Sequence, residues 1–183
     1  MGDGNHSLAT AKAIREEKKQ SLTPEEKTNH PARFALVELV NVHDEGLTFE
    51  PIHRVLFNIN PEQLLADMKI YFAPMGTEVA IETYTTKEQR TSQLKKSDHS
   101  TQYFTFVYQG VYGQIGLHHP KLNLEVGNLQ AFLDDYLKQH TEAKIDYVHG
   151  EEVTEKLGMQ TNNIGFLLPI MDKKDFFKTV VVD

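Results

Sequence analysis

Two runs rich in aromatic and β-branched residues, 101–108 and 111–117, are separated only by Gln109-Gly110. So short a connection joins strands antiparallel, and glycine tolerates the positive φ that such turns demand. The middle of the chain is therefore committed to a β-hairpin. An isolated hairpin is marginal in water, so this one must bury a face against further strands or a helix. The sequence supplies a helix directly afterwards. Leu129, Phe132, Leu133, Tyr136 and Leu137 recur at helical spacing, from a start near Gly127-Asn128.

The remaining segments alternate between the two periods. Leu8, Ala11 and Ile14 mark a helix over 7–20, and Thr23-Pro24-Glu25-Glu26 is a capping box that opens a short second helix. Residues 33–42 are apolar on both alternations (Phe34, Leu36, Val40 and Ala35, Val37, Leu39), the pattern of a central strand covered on both faces. Residues 47–58 read as extended chain interrupted at Pro51. Asn60-Pro61-Glu62-Gln63 starts a helix through Leu64, Leu65, Met68, Tyr71 and Phe72, which Pro74 and Gly76 end. Strands are predicted at 79–84, 145–148 and 164–168, a helix over 151–157, a polar surface excursion over 85–100 and a last helix over 172–178. The fold class is α+β: a mixed, largely antiparallel sheet with a β-hairpin and several packed helices.

A chain of 183 residues with 39% hydrophobic residues can bury a real core, and it is read as a single domain over 1–183. Its two ends read like internal stretches, so it is expected to be the middle-to-C-terminal part of a longer protein. The absence of cysteine excludes a disulfide framework, a thiolate zinc site and a cysteine nucleophile. The 19 basic residues stand against 26 acidic ones, a net charge of -7 that opposes a nucleic-acid partner. No apolar run approaches the ~20 residues of a membrane span, and the first residues lack a signal-peptide pattern. A cytoplasmic protein without a membrane partner is expected, and homo-oligomerisation is left open.

Three constellations can carry chemistry. Gly2-Asp3-Gly4-Asn5-His6-Ser7 stands where a helix begins, so its glycines and free N–H groups suit a phosphate, although an ordinary cap has the same composition. His53-Arg54 offers an imidazole and a planar guanidinium fork on an extended segment. Strand neighbours point to opposite faces, so a structural histidine beside a surface arginine is the plainer reading. Tyr147-Val148-His149-Gly150-Glu151-Glu152 crosses from strand to helix, which makes His149 and Glu151 further candidates. No metal motif occurs, so no metal site made by protein alone is expected.

These residues resemble a known family in four ordered blocks. Asp3-Gly4-Asn5-His6-Ser7 is similar to the Asp-Gly-His/Asn-His-Arg box of the domain-of-unknown-function 1015 family. Residues 35–41, Gly46-Leu47 and Pro51-Ile52-His53-Arg54 resemble its strand pair, Tyr147-Val148-His149-Gly150 another strand, and Gly165-Phe166-Leu167-Leu168-Pro169 its last. The box is itself similar to that of the ParB and sulfiredoxin superfamily, which includes a free-serine kinase. The resemblance implies a phosphate or nucleotide site at Gly4, Asn5 and Ser7, with Asp3 and His6 catalytic and with His53 and Arg54 secondary. Asp3 would hold Mg²⁺ or orient an acceptor, His6 would contact phosphate, and ATP or ADP with Mg²⁺ would be the cofactor. The expected function is a phosphotransferase or nucleotide hydrolase acting on a small molecule. Ser7 stands where the family carries arginine, so a non-catalytic binding or interaction module is the alternative.

Overall fold

The computed structural model describes residues 5–41, 43–171 and 173. The chain divides into two compact units, residues 1–44 and 45–183, where the sequence is read as one domain.

In the first unit, α1 (Asn5–Lys19) ends with Lys18 and Lys19 against its own carbonyl terminus, where cations are favoured. The capping box forms as the sequence predicts and opens α2 (Pro24–Asn29). Glu26 N–H donates to the Thr23 hydroxyl, while Thr23 N–H donates to the Glu26 carboxylate at 2.8 Å. One 3₁₀ turn, Pro31–Arg33, follows. The central strand expected over 33–42 does not form: the described residues 34–41 are neither helix nor strand. Leu36 and Leu39 are 103% and 97% exposed, and no described strand pairs with the segment. Apolar alternation states what a segment is able to bury. The ladder itself must come from a neighbour.

The second unit is built on one sheet. Its elements are β1 (Ile52–Phe57), α3 (Pro61–Phe72), β2 (Glu78–Tyr84), α4 (Lys87–Ser92), β3 (Thr101–Tyr108), β4 (Val111–His118), α5 (Glu125–Gln139), β5 (Lys144–His149), α6 (Glu151–Gly158) and β6 (Ile164–Leu167). The strand order is β2-β4-β3-β6-β1-β5, and every pairing is antiparallel. The α+β class therefore stands. The predicted surface excursion contains α4, and the predicted last helix falls, except for residue 173, outside the described residues.

The hairpin forms because both turn residues take positive φ, 40° at Gln109 and 83° at Gly110. One face of the sheet carries the core. Leu56, Phe104, Phe106, Ile115, Leu117 and Phe166 meet Leu64, Met68 and Phe72 of α3 and Leu129, Phe132 and Leu133 of α5. Asn128 fixes the start of α5 by donating to the Gln102 amide oxygen at 2.8 Å. α6 lies on the opposite face, against β6 and β1. It approaches so closely that a Cβ on Gly158 would sit 2.5 Å from the Gly165 nitrogen. No described helix is long and apolar enough to cross a membrane.

Candidate functional site

β1 carries both His53 and Arg54 inward, and the two are only 1% and 8% exposed. Alternation along the strand sends their side chains to opposite faces of the sheet. The pair is therefore two separate features rather than one site.

Arg54 faces α5. In the β1–β5 register it stands opposite Tyr147, and its guanidinium lies 4.8 Å from that ring's centroid. Its Nε donates to Gln130 Oε1 at 3.1 Å, and its Nη1 donates to the Ile52 carbonyl. Gln130 Nε2 donates in turn to Tyr147 Oη at 3.1 Å and to Asp134 Oδ1 at 2.8 Å. Among the described residues, Nη2 has no acceptor and no carboxylate lies within ion-pair distance of Arg54. Burial pushes the guanidinium pKa down, and Tyr147 and Asp134 push it back up. From so high an ordinary value the group stays charged. The plainer sequence reading, a surface arginine, is corrected: this cation is buried because it projects from the sheet face that α5 covers, against Gln130 and Tyr147.

His53 faces α6 and is the structural histidine of that reading. Its Nδ1 accepts the Leu168 N–H at 3.1 Å, which places the proton on Nε2. Burial holds its pKa below the ordinary value of 6.5. The Glu151 carboxylate opposes that shift, while Arg54 and His149 add to it. His149 ends β5 opposite Ile52, and Glu151 opens α6 after Gly150, whose φ of 89° favours glycine. His149 and Glu151 are both exposed. The structure thus gathers His53 and Glu151 within electrostatic reach of one another, at the junction of β5 and α6. No group of three or more metal-ligating side chains is arranged to hold an ion among the described residues.

Asp3 and Gly4 lie outside the described residues. Asn5 is the first residue of α1, and His6 and Ser7 are exposed in its first turn. The candidates therefore fall in both units: Asp3 to Ser7 in residues 1–44, and His53, Arg54, His149 and Glu151 in 45–183.

Sequence reasoning gave no role to Tyr147 and did not single out Gln130. A tyrosine two positions before His149 on a predicted strand was a signal for the first, since it shares that face. Nothing in the sequence marked Gln130, whose part depends on how α5 lies across the sheet. A shallow groove lined by Leu124, Val126, Leu168, Pro169 and Met171 runs along the start of α5.

No curated protein and no solved structure matches the chain. A family model does match, over residues 1–136, a stretch that takes in the Asp-Gly-Asn-His box, His53-Arg54 and Gln130. The chain belongs to the family described as protein of unknown function (DUF1015).

Proposed function

We propose that this protein binds a phosphate-bearing small molecule, with a nucleotide as the leading class, and uses it in phosphoryl transfer or nucleotide hydrolysis. The observation that carries the reading is Arg54: a buried cation with an open Nη2 and no carboxylate partner among the described residues. Gln130, the Ile52 carbonyl and the Tyr147 ring hold the rest of the guanidinium, and an anionic ligand at Nη2 would satisfy the one donor that they leave to solvent. Guanidinium suits phosphate because its planar fork matches two oxygens at once. The second support is the box at Asp3, Gly4, Asn5, His6 and Ser7, whose likeness to the ParB and sulfiredoxin box points to phosphate at the start of α1. Phosphoryl transfer needs mainly positioning and charge neutralisation, so few side chains suffice. Asp3 and His6 are the catalytic candidates. Mg²⁺ would arrive with ADP or ATP, since it is held largely through substrate phosphates. A cytoplasmic location fits such a ligand.

Calorimetry of the intact chain with ADP and with ATP, each with Mg²⁺, tests the reading. Binding is expected for the unaltered chain; its loss in Arg54→Met would assign it to Arg54, and its loss in a separate Asp3→Ala, His6→Ala variant would assign it to the box. No binding of either nucleotide to the unaltered chain would sink it.

A second reading, a non-catalytic ligand-binding or interaction module, is favoured by one observation: the exposed side chains of Phe34, Leu36, Val37, Leu39 and Val40. Contiguous exposed apolar surface marks an interaction site. That reading expects Asp3→Ala to leave cellular function intact, and a loss of function would count against it.

A further inference from the structure

We infer that Tyr147 is the stacking platform for the base of a nucleotide whose phosphate meets Arg54; this rests on the anion-binding reading above. Three contacts hold the tyrosine in place. Its backbone is in the β1–β5 ladder, its hydroxyl accepts from Gln130 Nε2, and the Arg54 guanidinium lies over its ring, which leaves the other face for a ligand. Yet the residue is 51% exposed. A buried guanidinium beside a rigid ring leaves part of that aromatic surface open to solvent, already polarised by a cation. Rigid aromatic surface of this kind binds planar groups with little loss of side-chain freedom.

The surroundings narrow the ligand further. Ile52 stands diagonally across from Tyr147 in the same register and is itself exposed, so an apolar strip borders the buried cation. At the hydroxyl edge of the ring, the only described groups tied to Gln130 besides Arg54 and Tyr147 are those of Asp134. An ionised carboxylate accepts hydrogen bonds and repels a second anion. One end of the strip thus favours N–H or O–H donors, such as a base amino group or a ribose hydroxyl, and the free Nη2 favours phosphate. A ligand that satisfies all three is planar, carries donors and is anionic at one end. A nucleotide meets that description, whereas inorganic phosphate meets only the last part.

The test compares three probes, ADP, pyrophosphate and adenosine, against the intact chain and against Tyr147→Leu and Tyr147→Trp. Circular dichroism melts first establish that the variants fold. ADP is expected to bind about tenfold or more tighter than pyrophosphate. Tyr147→Leu should erase that margin, lowering ADP affinity more than pyrophosphate affinity, and Tyr147→Trp should keep the margin. Should pyrophosphate bind while ADP gains nothing from the ring, the platform is overturned and the anion reading stands. Adenosine binding that Tyr147→Leu abolishes, without any pyrophosphate binding, would overturn the anion reading and with it the proposal that rests on it. Failure of all three probes overturns both.

Discussion

Residues 34–41 and strand β3 look alike as sequence and differ in fate. Each is about eight residues long, rich in β-branched and aromatic or aliphatic side chains, and apolar on more than one alternation. β3 lies inside the sheet between β4 and β6, with Phe104 and Phe106 fully buried. The other segment pairs with no described strand and leaves five large apolar side chains exposed. The difference is the strand that follows the turn. β3 is followed by Gln109-Gly110, both at positive φ, which delivers β4 into register at once. Residues 34–41 also lead into a turn, where Asp44 N–H donates to the Asn41 carbonyl at 2.9 Å, but no described strand comes back to pair with them, and pattern without a partner does not make a strand.

The sharpest way to break this comparison is to substitute both segments. Phe104→Ala should lower unfolding free energy by about 3–5 kcal/mol, the usual loss for a large core side chain that leaves a cavity. Leu36→Lys and Leu39→Lys should each stay within about 0.5 kcal/mol, as surface substitutions do. Urea denaturation reads both. A loss at Leu36 comparable to that at Phe104 would show the segment to be packed in solution and would remove the contrast.

A smaller effect tests the opposite face of the sheet. Gly158→Ala should cost about 1–3 kcal/mol, because the added methyl meets backbone rather than a movable side chain. A neutral result would mean that α6 stands further from β6 than the structure has it.

The fold was legible in the sequence wherever an element carried its own boundary. Asn60-Pro61 opened α3, with the Asn60 side chain accepting from the Gln63 N–H at 3.0 Å, and the capping box opened α2. The hairpin announced its own turn. What was not legible depended on long-range placement. The burial of Arg54 follows from α5 lying across the face of β1 that carries it, and its partner Gln130 comes 76 residues later. Likewise the division of His53 from Arg54 followed from strand alternation. The partners that give each its chemistry, Leu168 for one and Gln130 with Tyr147 for the other, did not.

That division offers a finer comparison between two adjacent residues. Arg54→Met should leave stability within about 1 kcal/mol of the unaltered chain, because the desolvation it relieves offsets the lost contacts to Gln130, the Ile52 carbonyl and Tyr147. Its effect should fall on anion binding instead. A loss of several kcal/mol would show that the arginine is a structural support and would remove the main argument for a ligand there.

His53 should behave the other way, with an effect on stability that is small and confined to acid. Its folded pKa lies below 6.5 because burial disfavours the imidazolium. Above that value the histidine is neutral whether the chain is folded or not, and the stability it contributes is fully present. As pH falls below 6.5 the unfolded chain takes up the proton first, so unfolding is favoured until the folded imidazole also titrates. The slope in that window is at most about 1.4 kcal/mol per pH unit for one proton. His53→Gln retains an oxygen able to accept the Leu168 N–H and does not titrate. Urea midpoints taken from pH 7.5 down to 5 should therefore lie close together at neutral pH and part in acid, with the unaltered chain losing more across the window. Parallel curves would mean that the imidazole protonates as readily in the folded chain as outside it, and His53 would then be a solvent-reachable group on the α6 face rather than a buried acceptor.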